Sequence, residues 1–220
     1  MLLHWSKNTL NKILHIGLPS AGENLVWILH YMVASAFIGL MGETSLAAQT
    51  LYFQLSLFIM LFGISISLSI GNEIMVGHLV GAKRFEDAYQ RGLKSLKWGF
   101  FITIGIVFCF WLFRIPLLDA ITEDHNIIKL LLPLLLLSVF LEPGRTLNIV
   151  MVNALRAAGD ARFPFCTALI SMWGIALPIS YFLGLKMEMG LLGIWLGFLC
   201  DEWLRGLTNA WRWQTKRLDI

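Results

Sequence analysis

Long apolar stretches alternate with short polar segments along the whole chain. Six of these stretches approach or exceed the roughly 20 residues that a helix needs to cross a bilayer. None shows the strict alternation of a barrel strand, so the pattern predicts an all-α integral membrane protein with six transmembrane helices. The predicted spans are 13–40, 46–70, 93–113, 127–152, 163–183 and 190–211, and we expect residues 1–220 to form one six-helix unit.

Two predicted spans continue into mixed polar sequence. The second span is followed by GNEIMVGHLVGA and the fourth by NALRAAGDARFP, so we expect both helices to project beyond the bilayer on the same side. The basic stretch KRFEDAYQRGLKSLK, residues 83–97, is predicted to be an amphipathic connector near the headgroups, mainly solvated.

The composition excludes several classes of function. Hydrophobic residues make up 57% of the chain and charged residues only 14%, well away from the values of soluble domains. The polar start MLLHWSKNTLNK does not have the form of a signal peptide. No P-loop, GxSxG or HExxH motif is present, and the three Cys stand apart from one another. We therefore expect no enzyme activity, no cofactor and no metal site.

Lys and Arg are distributed unevenly between the two sides of the predicted membrane. With the N-terminus in the cytoplasm, twelve of them lie on the cytoplasmic side and three, Arg114, Lys129 and Lys186, lie outside. Because cytoplasmic loops carry the excess of positive charge, we expect both termini in the cytoplasm and the chain in the cytoplasmic membrane. The net charge of +3 then reflects topology and does not indicate nucleic-acid binding.

Charged residues interrupt the fourth apolar stretch, in FLEPGRTLNIV. Glu142 and Arg145 are three residues apart and share one helical face. Two interpretations remain open: a self-neutralising pair that allows a polar face to pack inward, or a substrate or coupling-ion site.

Pro143 and Gly144 lie between these two charges and are predicted to loosen the helix. Interrupted helices at this depth supply substrate and ion sites in many transporters. Asn148 and Asn153 continue the polar stripe toward the cytoplasm, so we include both as candidates.

Further intramembrane charges lie on the first and last spans. Glu23 follows Gly17, Pro19 and Gly22, so we expect the first span to be broken early, with Glu23 as a site residue or as a hydrogen-bonded partner of another helix.

On the last span, Asp201 and Glu202 lie four and three residues before Arg205. This spacing allows local pairing, which we favour over a ligand site for the cluster.

Two weaker candidates are Glu73 and His30. Glu73 lies near the cytoplasmic end of the second predicted helix, where solvation explains it. His30 is a single imidazole in an apolar helix, for which we favour a hydrogen-bonded packing role over a proton relay.

The segments GLPSAGENL, ASAFIGLMGETSLAAQT, VGHLVGAKRFEDAYQRG and LRAAGDARFP follow one another in this order. Together they resemble the C-terminal six-helix lobe of multidrug and toxic compound extrusion (MATE) transporters, over nearly the whole chain. The most specific parts are the Gly-Leu-Pro near the start, the VGxxxGA of residues 76–82 and the LRxxGD of residues 155–160.

The resemblance implies a secondary antiporter of the MOP superfamily, built from two six-helix lobes. Such a transporter exports organic cations or other amphiphilic small molecules against entry of Na⁺ or H⁺. Family members use intramembrane acids in this lobe, and this chain departs from a bare cation site by placing Arg145 beside Glu142. Glu142 would release Arg145 to accept a proton, Na⁺ or a cationic substrate, or Arg145 would attract an anionic group.

The chain corresponds to one of the two lobes that the resemblance implies. Its expected partners are the lipid bilayer, a small-molecule substrate, and either an N-terminal lobe or a second copy of itself. The alternatives are a small homodimerising transporter or flippase and a truncated fragment without activity, in which the charges only neutralise each other.

Overall fold

The computed structural model of the chain describes residues 7–62 and 65–215, which form helices and no strand. Apolar stretches of this length become helices in a membrane because a helix satisfies its backbone hydrogen bonds internally. The helices are α1 (Lys7–Gly39), α2 (Glu43–Phe62), α3 (Ser65–Gly81), α4 (Phe85–Leu112), α5 (Arg114–Ile121), α6 (His125–Ala157), α7 (Arg162–Lys186) and α8 (Gly190–Thr215).

The helix bounds follow the predicted spans closely at α1, α6, α7 and α8. One helix, α5, lies outside the predicted spans, and the second and third spans differ from the prediction. The predicted second span, 46–70, corresponds to α2 and α3, which end and begin on either side of residues 63–64, outside the described residues. The predicted connector at 83–97 is not separate from the third span, because α4 begins at Phe85 and runs through both.

Neither predicted helix break is found. Pro19 lies inside α1 and Pro143 inside α6, and both helices continue through them. Pro143 cannot donate to the Val139 carbonyl, yet α6 is continuous, as membrane helices that contain proline can be. At the adjacent Phe140 carbonyl, the Trp203 indole of α8 donates a 2.8 Å hydrogen bond.

Gly144 allows α8 to lie close to α6 at this point. A Cβ at Gly144 would lie 2.7 Å from the Trp203 ring, closer than a side chain allows. The pair Pro143 and Gly144 therefore serves close packing of α6 on α8, and the expectation of an interrupted fourth helix is wrong.

Helix α6 lies at the centre, packed against α2, α3, α4 and α8. Its buried residues contribute to two apolar clusters. One joins α1, α2, α6 and α8 around Tyr52 and Trp195, whose rings meet edge-on at 4.4 Å. The other joins α3, α4, α6 and α8 around Met151 and Trp213. The polar side chains of α6 are held in one place by these clusters.

Glycines bring α7 and α8 close together. A Cβ at Gly193 would lie 2.6 Å from the Gly184 amide nitrogen, and one at Gly197 would lie 2.7 Å from the Ala176 carbonyl oxygen. Gly193 and Gly197 are four residues apart, which is the small-xxx-small spacing of tightly packed membrane helices. Sequence analysis did not identify this motif, although GIWLG carries it.

By length and composition, α4, α6 and α7 are apolar enough to cross a membrane among the described residues. Helix α8 carries Asp201, Glu202 and Arg205 in its middle, all buried against neighbouring helices. Charges inside a membrane-spanning bundle face its interior in this way. They are therefore the starting point for locating a functional site.

Candidate functional site: a charged cavity between four helices

A cavity of about 290 Å³ lies between α1, α2, α6 and α8. Each helix contributes residues from one face, at the spacing of three and four that a helix produces. The charged residues that line it are Glu23, Arg145, Arg156, Glu202 and Arg205. Its aromatic residues are Trp27, Tyr31, Phe53, Trp195 and Phe198.

Glu142 and Arg145 form the ion pair that their spacing predicts. Arg145 Nη1 lies 2.8 Å from Glu142 Oε1, and Glu142 is almost fully buried behind the cavity wall. Ser56 of α2 completes the group, because its hydroxyl accepts from Arg145 Nη1 at 2.6 Å and donates to Glu142 Oε1 at 2.7 Å. The pair is therefore neither isolated nor restricted to α6.

Glu202 of α8 lies between two arginines. Its Oε1 accepts from Arg145 Nε at 3.3 Å, and its Oε2 lies 3.4 Å from Arg205 Nη2. Asn148 Nδ2 donates to Glu202 Oε2 at 2.9 Å. One carboxylate thus neutralises guanidinium groups from two helices, a contact across 57 residues that local spacing does not show.

Asp201 and Arg205 pair within α8, as their spacing predicts. Arg205 Nη2 lies 2.5 Å from Asp201 Oδ2, and Arg205 Nε donates to both Asp201 oxygens at 3.0 Å. Ser171 of α7 donates to Asp201 Oδ1 at 2.6 Å. The preference for local pairing in this cluster agrees with this geometry, but Arg205 also lines the cavity.

Glu23 pairs with Arg156, near the end of α6. Arg156 Nη2 lies 2.7 Å from Glu23 Oε2, and the Arg156 side chain is 18% exposed. Asn153 Oδ1 accepts from Arg156 Nη1 at 3.5 Å. This second ion pair joins α1 to α6 about 16 Å along α6 from Arg145.

We expect Glu23→Gln to lower the free energy of unfolding by about 1 kcal/mol, because Gln keeps an acceptor oxygen for Arg156, whose side chain is 18% exposed and also bonds to Asn153. The free energy of unfolding in mixed detergent micelles, titrated with dodecyl sulfate, measures it. Asn24→Asp adds a negative charge next to Glu23 on the same turn of α1, and its free energy of unfolding is measured in the same way. A loss for Glu23→Gln as large as that of a buried pair would contradict this expectation.

Within the described part of the chain, two candidates neither line the cavity nor form an ion pair or hydrogen bond with a residue that lines it. Glu73, on α3, is partly exposed and does not line it. His30 is fully buried and packs its ring 4.8 Å from that of Phe198. Its ring nitrogens have no hydrogen-bond partner among the described residues, so the packing is present without the expected hydrogen bond.

Sequence analysis missed the aromatic residues of the cavity and two residues of its ion-pair groups, Ser56 and Arg156. Ser56 follows Gln49 and Tyr52 at steps of three and four, a polar face on an otherwise apolar helix that would have indicated it. Arg156 was counted with the cytoplasmic charges, and only its contact with Glu23 places it in the cavity wall.

The MatE family model matches residues 19–182 of the chain. The uncharacterised transporter YisQ of Bacillus subtilis (strain 168) is 40% identical over 215 residues, covering 98% of this chain and 47% of YisQ. Multidrug resistance protein NorM of Aliivibrio fischeri is 25% identical over 203 residues, covering 89% of this chain and 44% of NorM.

The fold is similar to that of solved MATE transporters. Against the crystal structure of the Vibrio cholerae transporter VcmN in the bent form, the TM-score is 0.86 at 19% identity, over 96% of this chain and 47% of VcmN. The chain spans about half the length of the curated relatives it matches, as expected for one lobe. These relatives are transporters and not enzymes. The chain belongs to the MATE family of membrane transporters, and its helices correspond to one lobe of the fold.

Proposed function

We propose that the chain is one lobe of a two-lobe antiporter that exports organic cations or other amphiphilic small molecules against entry of Na⁺ or H⁺. The observation that carries this proposal is the cavity, in which aromatic rings surround ion pairs that can exchange partners. The length of the chain supports the two-lobe arrangement, since its relatives are about twice as long.

The ion pairs provide a way to couple two ligands. A proton or Na⁺ that engages Glu142 weakens the hold of this carboxylate on Arg145, which then turns to Glu202 or to a substrate. A change at this pair reaches three helices, because Arg145 contacts Ser56 of α2 and Glu202 of α8. A transporter needs such a link between occupancy and helix packing.

In the proposed orientation the protein lies in the cytoplasmic membrane, with both termini in the cytoplasm. In this orientation the turn between α3 and α4, with Lys83 and Arg84, lies inside, as does the Arg156 end of α6. The cavity then extends from Arg145 toward the cytoplasmic side. Reagents that label single cysteines from one side of the membrane test the orientation.

The experiment that tests the function is efflux of a fluorescent organic cation, ethidium, from vesicles under imposed Na⁺ or proton gradients. One preparation contains this chain alone, and a second contains it together with a six-helix N-terminal lobe of a MATE relative. We expect gradient-dependent efflux only when both lobes are present. An unrelated six-helix membrane protein in place of the N-terminal lobe is the control.

Each other outcome has a definite meaning. Gradient-driven efflux by the chain alone replaces the two-lobe proposal with a homodimer. If the two-lobe preparation moves neither ethidium nor an acidic or zwitterionic amphiphile under either gradient, the proposed antiport is wrong.

A further inference from the structure

Arginine side chains form much of the polar surface of the cavity. Three of them line it, against two glutamates. In the inner pair the Arg145 side chain is 11% exposed and Glu142 only 2%, and in the outer pair Arg156 is 18% exposed and Glu23 only 10%. In these two pairs the guanidinium is the more exposed partner, whereas Glu202 and Arg205 are exposed to similar extents, 7% and 5%.

The hydrogen-bonding capacity of these groups is unevenly used. Among the described residues, Arg145 Nη2 and Arg205 Nη1 have no hydrogen-bond partner, although the other nitrogens of both side chains do. Both oxygens of Glu202 already accept hydrogen bonds, from Arg145 and Asn148. The inner part of the cavity thus offers two spare donors, on guanidinium groups that are paired with three carboxylates, Glu142, Asp201 and Glu202.

The positions of the two arginines suit one acidic group. Both lie against the same carboxylate, with Arg145 Nε and Arg205 Nη2 at 3.3 and 3.4 Å from Glu202 oxygens. Guanidinium forks recognise carboxylate, sulfonate and phosphate oxygens with charge-assisted hydrogen bonds. These bonds are strong where water is largely excluded, as it is around side chains that are 11% and 5% exposed.

Aromatic rings complete the binding surface. Trp195 and Phe198 lie on the same face of α8 as Glu202, and their rings are 4.8 Å apart. Trp27 and Tyr31 of α1 stack at 5.6 Å beside them. Tyr31 and Phe198 meet edge-on at 6.5 Å between ring centroids, so the rings form one apolar wall, against which an apolar body lies while its polar end reaches the arginines.

We propose that the cavity takes amphiphilic organic acids, which it recognises through Arg145 and Arg205 at the acidic end and through the aromatic rings at the apolar end. The proposal rests on the export function proposed above and narrows its substrate class. Free acids and zwitterions share the acidic group. For the positive group of a zwitterion, the outer pair offers Glu23 Oε1, which has no hydrogen-bond partner among the described residues.

The test uses three probes that share one fluorophore: dansylglycine with a carboxylate, dansyl-ethylenediamine with an ammonium, and Nε-dansyl-lysine with both. Binding to the 220-residue chain in a neutral detergent is measured by energy transfer from tryptophan to dansyl, with protein-free micelles as the blank. We expect the two probes that carry a carboxylate to bind about tenfold more tightly than the ammonium probe, or better. Equal binding, or preference for the ammonium probe, overturns the proposal.

Two variants test the assigned residues in opposite directions. Glu142→Gln frees Arg145 from its partner, so dansylglycine binding should tighten severalfold. The double variant, Glu142→Gln with Arg145→Gln, removes both charges of the inner ion pair together. Dansylglycine binding to this variant should fall about tenfold. Arg84→Gln, at an exposed pair with Asp87, is the matched control and should bind as the unmodified chain does.

The outcomes separate this proposal from the export function. If Glu142→Gln with Arg145→Gln folds and binds dansylglycine as tightly as the unmodified chain, the assignment to Arg145 is wrong. If the variants do not fold, the probe series on the unmodified chain still decides. Gradient-driven efflux is measured in separate vesicles. If the two-lobe preparation exports cations by antiport while the chain shows no preference for the acidic probes, this proposal is rejected and the export function is retained.

Discussion

We expect Glu202→Gln to lower the free energy of unfolding by about 2 kcal/mol, because it removes the charged hydrogen-bond acceptor that bridges Arg145 and Arg205. Each guanidinium keeps its own carboxylate partner, Glu142 or Asp201. Glu202 is 5% exposed and contacts both Arg145 and Arg205. Gln keeps the shape and an acceptor oxygen for Asn148, so the loss reports the charge. Dodecyl sulfate titration in mixed micelles, followed by circular dichroism, measures the free energy.

The control for Glu202→Gln is Glu86→Gln, on the exposed first turn of α4, where Glu86 accepts a hydrogen bond from Gln90. We expect this control to change stability by less than about 0.5 kcal/mol. If both substitutions have the same small effect, Glu202 does not hold α6 and α8 together, and the picture of a central carboxylate shared by two arginines is wrong.

The second large effect is expected at Gly197, where α7 and α8 are closest. Gly197→Leu should lower the free energy of unfolding by more than about 3 kcal/mol, since added atoms would meet the Ala176 carbonyl oxygen and the Ser180 side chain. Ser180 also donates to the Ile194 carbonyl, so the side chain has little freedom to move. The yield of monodisperse protein in gel filtration and the dodecyl sulfate midpoint both report the change.

Gly105→Leu is the matched control for this packing. No side-chain or neighbouring-helix atom lies within 4 Å of a Cβ placed at Gly105, and the position is exposed on α4. We expect this substitution to leave the midpoint unchanged or to raise it slightly, because Leu forms helices better than Gly. A similar loss at both glycines would show that side-chain volume, and not the contact between α7 and α8, determines the result.

Local spacing predicted part of the site. The three-residue step from Glu142 to Arg145 and the four-residue step from Asp201 to Arg205 place each pair on one helical face, and both pairs form. Hydropathy also predicted most helices, since backbone hydrogen bonding in a membrane leaves few alternatives for long apolar stretches.

Contacts between helices could not be predicted in the same way. The contact of Arg145 with Glu202 depends on how α6 and α8 cross, and the contact of Glu23 with Arg156 joins residues 133 positions apart. Proline gave a misleading signal for a related reason. Whether Pro143 breaks α6 depends on how the neighbouring helices pack around it, and α8 packs closely there, with Trp203 against Gly144.

The length of α6 has a consequence for the two ion pairs it carries. Its 33 residues span about 50 Å, whereas the hydrocarbon core of a bilayer is about 30 Å thick. Laid along the membrane normal, the helix holds Arg145 near its midpoint, at hydrocarbon depth, and Arg156 one residue from its end, at the level of headgroups and water. A ligand of the proposed transporter that moved from one pair to the other would cross a gradient of dielectric constant within a single cavity. It would meet the outer pair near the headgroups and the inner pair at hydrocarbon depth, where charge must be exchanged for charge.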